Sequence, residues 1–126
     1  MTEQEARVIA EPAIKGIVDC MATNDYESIE KYAEFKKLTV EEFKECAEEF
    51  LAYNGLTHFD RYGVPCNFKP QYEYNQLEIF IYNNGSGFGV EYGLTTESEL
   101  NDLTLMVDFR FTDTGVKAFI DDIHVL

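Results

Sequence analysis

The sequence predicts an α+β domain in which three N-terminal helices pack on one face of a curved antiparallel sheet of about four strands. Three observations lead there. Apolar residues recur at helical spacing before Gly55 and alternate after it. Two Thr-x-x-Glu pairs, Thr2/Glu5 and Thr39/Glu42, have the spacing of a helix capping box. The run from Leu103 to Phe111 alternates without a break, the strongest strand signal in the chain. No repeat, low-complexity tract or linker separates the two halves. Residues 1–126 therefore read as one domain, with helices over about 3–54 and strands over about 72–126 sharing one core.

The first helix starts after Thr2, whose hydroxyl is placed to accept an orphan backbone N–H. Pro12 lacks an N–H, so a kink or a restart is expected near Glu11. Ile14, Ile17, Val18 and Met21 then form one apolar stripe. Asn24 or Asp25 caps a second helix that turns Tyr26, Ile29, Tyr32 and Ala33 inward. Thr39 opens the third, with Phe43, Ala47, Phe50 and Leu51 as its stripe, and Asn54-Gly55 stops it.

Residues 56–70 read as irregular, punctuated by Gly63, Pro65 and Pro70, with room for a short strand at Leu56–Phe59. Gln76–Tyr82 alternates Leu77, Ile79 and Ile81 against Glu78, Phe80 and Tyr82. Asn83–Gly87 is a turn by composition, and Phe88–Leu94 returns as its partner, with Gly89 and Gly93 marking a bulge or bend. A second hairpin turns at Thr112–Gly115. Its returning strand changes phase at Asp121-Asp122, from Val116, Ala118 and Ile120 to Ile123 and Val125. One extra residue there, a β-bulge, keeps both sets on the core face. The other sheet face then carries Phe80, Tyr82, Met106 and Phe119, too apolar for plain solvent surface.

Charge bounds the function. The chain holds 24 acidic and 10 basic side chains, a net charge of −14. Residues 1–54 and 55–126 each carry −7, so the acidity belongs to the whole domain. Such a surface repels nucleic acid and anionic membrane and attracts basic surfaces. No apolar run approaches the roughly 18–20 residues of a membrane helix, and the N-terminus lacks the pattern of a signal peptide. Cys20, Cys46 and Cys66 match no zinc or redox spacing and read as reduced thiols. A cytoplasmic location is expected.

Catalytic motifs are weak. Asp121, Asp122 and His124 form the best cluster, a carboxylate beside an imidazole, and Asp108 can join from the neighbouring strand. A solvated bulge explains the same residues, and no second His is near enough for a metal site, since His58 lies in another segment. Gly85-Ser86-Gly87 lacks the nucleophile-elbow spacing, and glycines 85, 87 and 89 lack the phosphate-loop spacing. No catalytic residue, metal or cofactor is assigned. Tyr72, Tyr74, Phe80, Tyr82, Phe88 and Tyr92 read either as strand aromatics or as pocket and interface anchors. On the third helix Glu41, Glu45, Glu48 and Glu49 lie away from the apolar stripe. They form either a solvated face or a docking surface for a basic protein.

The element order resembles the cystatin-like/NTF2-like architecture, in which N-terminal helices pack into the concave face of a curved antiparallel sheet. The strand pair that NTF2-like proteins usually insert between helices is not placed by the residue pattern here. Asp102-Leu103-Thr104-Leu105 and the ending Asp121-Asp122-Ile123-His124-Val125-Leu126 resemble those of a family of small uncharacterised bacterial proteins, from which no residue role carries over. In size and acidity the chain is also similar to immunity proteins of toxin–immunity pairs.

The sequence therefore reads as a non-enzymatic, acidic protein-binding domain, in its most specific form an immunity-like inhibitor of a basic toxin or nuclease. Glu41, Glu45, Glu48 and Glu49 are its expected partner-binding residues. The alternative is an NTF2-like pocket protein for a small apolar molecule, with Phe80, Tyr82, Asp121, Asp122 and His124 near the pocket. A homodimer through the outer sheet face is a third reading.

Overall fold

A computed structural model describes residues 1–64 and 76–125. Cys66, Pro65, Pro70, Tyr72 and Tyr74 lie outside the described residues, as does the expected start of the strand region at 72. The architecture is α+β. Helix α1 (Glu3–Ala22), a short 3₁₀ helix (Tyr26–Lys31), strand β1 (Glu34–Phe35) and helix α2 (Val40–Tyr53) precede β2 (Leu77–Ile81), β3 (Gly87–Thr96), β4 (Glu99–Thr112) and β5 (Gly115–Val125). The strands form one open sheet in the order β1-β5-β4-β3-β2.

Both capping boxes form. Thr2 and Thr39 each accept the N–H three residues on, and Glu5 and Glu42 reach back to the cap N–H. Each box satisfies two of the orphan donors of a helix start. The expected restart at Glu11 is absent, because α1 continues through Pro12. Pro12 and Val8 are both exposed, so the hydrogen bond that proline cannot donate is lost on the solvent side, where it costs least. The expected second helix is a single short 3₁₀ segment. Tyr26, Ile29 and Ala33 are buried from it as expected, but Tyr32 is exposed and lies over Gly16 of α1. A side chain at position 16 would overlap the Tyr32 ring.

The sheet has five strands among the described residues rather than about four. The added one, β1, runs parallel to β5 with Glu34 opposite Phe119 and Phe35 opposite Ile120, which makes the sheet mixed. Phe35 is held there by an edge-on contact with Phe43, ring centroids 5.6 Å apart. The expected bulge on β5 is present: Met106 pairs with Asp122 and Val107 with Ile120, leaving Asp121 as the extra residue. Ile120 and Ile123 are consequently both buried. A second irregularity in the β3–β4 pairing falls between Gly93 and Thr95. Asn54 ends α2 and Gly55 follows at φ +67°.

The core lies between the helices and one sheet face. Ile14, Ile17, Val18 and Met21 of α1 and Phe43, Ala47 and Leu51 of α2 are buried with Phe88, Val90, Tyr92, Leu105, Val107 and Phe109. Phe88 and Phe109 stack at 4.8 Å. Residues 56–59 form no strand; side chains fasten the segment instead. Phe59 is buried, Tyr62 donates its N–H to Asp19 Oδ1 at 2.9 Å, and Asp60 binds the β3–β4 turn. In that turn Glu97 and Ser98 sit at φ +52° and +65°, unusual for residues with side chains. Asp60 accepts their N–H groups at 3.1 and 2.8 Å and the Thr95 hydroxyl at 2.9 Å.

Candidate functional site

The sheet register builds the outer face row by row. In one row Phe80, Gly89, Asp108 and Phe119 stand side by side on β2, β3, β4 and β5. In the next, Glu78, Glu91, Met106 and Asp122 do the same. Alternation sends these side chains away from the helices. The expected outer-face set of Phe80, Tyr82, Met106 and Phe119 therefore shares one surface.

Gly89 opens that surface. Its missing side chain leaves a depression of about 210 Å³ lined by Phe80, Tyr82, Glu91, Met106, Asp108 and Asp121. Tyr82 leans across it: a Cβ added at Gly89 would stand 3.0 Å from the Tyr82 hydroxyl. That hydroxyl donates to Asp108 Oδ1 at 2.7 Å, while Arg110 Nε donates to Asp108 Oδ2 at 2.8 Å and Arg110 also reaches Ser86 Oγ at 3.2 Å. The Arg110 guanidinium lies over the Tyr82 ring, 5.1 Å from its centroid. Burial and then the Asp108 hydrogen bond push the Tyr82 hydroxyl up to about 12, so it stays a neutral donor. A wider depression of about 510 Å³ adjoins this network at the β2–β3 turn, lined by Ile81, Tyr82, Asn83, Asn84, Ser86 and Arg110.

The other end of the row is covered by cations from the β1 side. Lys36 Nζ stands 4.3 Å from the Phe119 ring centroid and Lys117 Nζ 5.8 Å. Lys117 also pairs with Glu34 at 3.0 Å, and Lys37 with Asp121 at 3.0 Å. The Asp121 hydrogen bond raises the Lys37 pKa.

Of the Asp121, Asp122, His124 cluster, Asp122 and His124 meet each other while Asp121 turns to a different partner. Asp121 faces Lys37 and the depression. Asp122 accepts the Ile123 N–H at 2.8 Å and meets His124 Nδ1 at 3.1 Å. Asp108, expected as a further member, spends one oxygen on Tyr82 and the other on Arg110. Phe80, Tyr82 and Asp121 border the depression, whereas Asp122 and His124 are outside its lining. Among the described residues no three His, Cys, Asp or Glu side chains are grouped to hold a metal ion. Burial, then nearby carboxylates, raises the thiol pKa of Cys20 and of Cys46, which disfavours the nucleophilic thiolate.

On α2, Glu41, Glu45, Glu48 and Glu49 are all exposed. Lys44 approaches Glu48 at 3.9 Å, and no other ion pair engages these four among the described residues. Sequence reasoning missed Arg110, Ser86, Lys36 and Lys37. Their roles need the strand register and the parallel β1, which no local pattern announces. The one available signal was the central Gly89, expected with Gly93 to mark a bulge or bend. The irregularity falls at Gly93, while Gly89 pairs in regular register with Phe80 and Asp108 and opens a depression instead.

No helix among the described residues is long and apolar enough to cross a membrane. No curated protein and no solved structure matches the chain. Residues 18–126, which include the outer face and α2, match the family described as a domain of unknown function, DUF7668. The chain belongs to that family.

Proposed function

We propose that this is a non-enzymatic binding domain that docks a basic protein, in its most specific form an immunity-like inhibitor that occludes a basic toxin or nuclease. The observation that carries the reading is the α2 surface. Four glutamates stand exposed on a helix fixed by a capping box and by buried Phe43, Ala47 and Leu51, with Lys44 the one cation paired to any of them among the described residues. A solvated face normally mixes both signs. A rigid carboxylate array accelerates encounter with a cationic surface and selects against acidic partners. Occlusion would be steric and electrostatic, with no chemical step. Immobilised protein should retain a specific basic partner from cells that express it at low salt and release it as salt rises. Retention of polycations alone, with no discrete partner, would overturn the reading.

The depression at Gly89 supports a second reading, a pocket protein for a small apolar molecule. Phe80, Tyr82 and Met106 offer apolar walls, and Asp121 a polar rim. The helix-facing side of the sheet is filled by Phe88, Phe109 and the α1 stripe, so a ligand would sit on the outer face. A small apolar probe that shifts the Gly89 amide resonance saturably would support this reading; an unchanged resonance would end it.

A further inference from the structure

We infer that Phe80 and the Gly89 depression together seat an arginine side chain of the basic partner. The inference rests on the docking function proposed above and names a second contact surface for it. Among the described residues the outer face presents three aromatic rings, Phe80, Tyr82 and Phe119. Arg110 covers Tyr82 at 5.1 Å and Lys36 covers Phe119 at 4.3 Å, so this face draws the chain's scarce cations onto its rings. Phe80, 45% exposed, has no cation over it among the described residues.

The charge beside Phe80 is also unanswered. Glu78 on β2 stands directly opposite Glu91 on β3, an arrangement that repels across the strand pair. No cation pairs with either among the described residues, while Asp108 and Asp121 are already held by Arg110 and Lys37. A single guanidinium between Phe80 and Glu91 would relieve that repulsion and cover the ring. The depression of about 210 Å³ between Phe80 and Met106 gives its stem an apolar bed. Arginine suits the place better than lysine, because its flat guanidinium stacks on a ring while its N–H groups fork to a carboxylate.

The test is an amide-resonance titration of the full chain with two capped peptides, tetra-arginine and tetra-lysine. The expected result is saturable shifts centred on Gly89, Phe80 and Met106, with tetra-arginine bound more tightly. Phe80→Ala should weaken tetra-arginine binding about fivefold, the size of an exposed cation–π contact. Glu91→Gln should weaken it comparably without removing any packed side chain, so a folding defect cannot account for both losses. Shifts centred on α2, with equal affinity for the two peptides, would overturn this inference and leave the docking reading standing. No saturable shift at this face would likewise overturn this inference, whereas the docking reading stands or falls on capture of a discrete basic partner.

Discussion

Asp60→Ala should destabilise the domain by about 3 kcal/mol. The carboxylate accepts three hydrogen bonds, from the Thr95 hydroxyl and from the Glu97 and Ser98 amides, at 2.9, 3.1 and 2.8 Å. Hydrogen bonds to a charged group contribute roughly 1.5–3 kcal/mol each, but members of one network do not add. Water replaces part of what is lost, because Ser98 is only half-buried and Glu97 is exposed. About 3 kcal/mol is a large share of the 5–15 kcal/mol that holds a domain together, and corresponds to a fall in Tm of about 10 °C. Asp60→Asn keeps one acceptor and should fall between wild type and alanine. Burial raises the Asp60 pKa, but the hydrogen bonds from Ser98, Thr95 and Glu97 together outweigh it and hold the carboxyl below its ordinary range. Its contribution is therefore full above the unfolded pKa of about 3.9 and is lost as pH falls through the lower folded value. Urea unfolding followed by circular dichroism, at neutral pH and down the acid limb, measures both effects. If Asp60→Ala stays within about 0.5 kcal/mol of wild type at neutral pH, Asp60 does not hold the β3–β4 turn.

Gly87→Ala should be more severe, more than about 3 kcal/mol, because Gly87 sits at φ +156° and an added Cβ would overlap the Phe109 carbonyl; loss of soluble folded protein or a sharply lowered urea midpoint would show it. Tyr82→Phe should cost about 1 kcal/mol and remove one phenol from the group that ionises only near pH 12, read by ultraviolet titration. Thr39→Ala removes the α2 capping box and should cost about 1 kcal/mol, seen as a lower urea midpoint with an unchanged slope.

What the sequence revealed and what it hid divide along the range of the interactions. Both capping boxes, the Asn54-Gly55 stop and the bulge at Asp121 were legible because each is decided by a few neighbouring residues. Pro12 left a kink and a restart both open, and the restart did not occur because the cost of a helix proline depends on which face loses its bond, a face set by packing. β1 was hidden because two residues carry no periodicity; only Ile120 and Phe119 across the gap define it. The β3–β4 turn at Glu97-Ser98 was hidden for a related reason. Nothing in Glu-Ser announces a positive-φ turn, and the carboxylate that binds it lies 37 residues earlier in the chain. The outer face was legible as apolar from Phe80, Tyr82, Met106 and Phe119. Arg110 over Tyr82 became visible only with the β2–β3–β4 register, and Lys36 over Phe119 only with β1 in place.

The central claim is that α2 docks a basic protein through Glu41, Glu45, Glu48 and Glu49. Its most direct test is the affinity of a captured basic partner for wild type and for a variant with all four changed to glutamine, measured across a salt series. The account predicts at least tenfold weaker binding of the variant at low salt, mainly through slower association, and a flatter salt dependence. Equal affinity and an identical salt slope for the two proteins would contradict it.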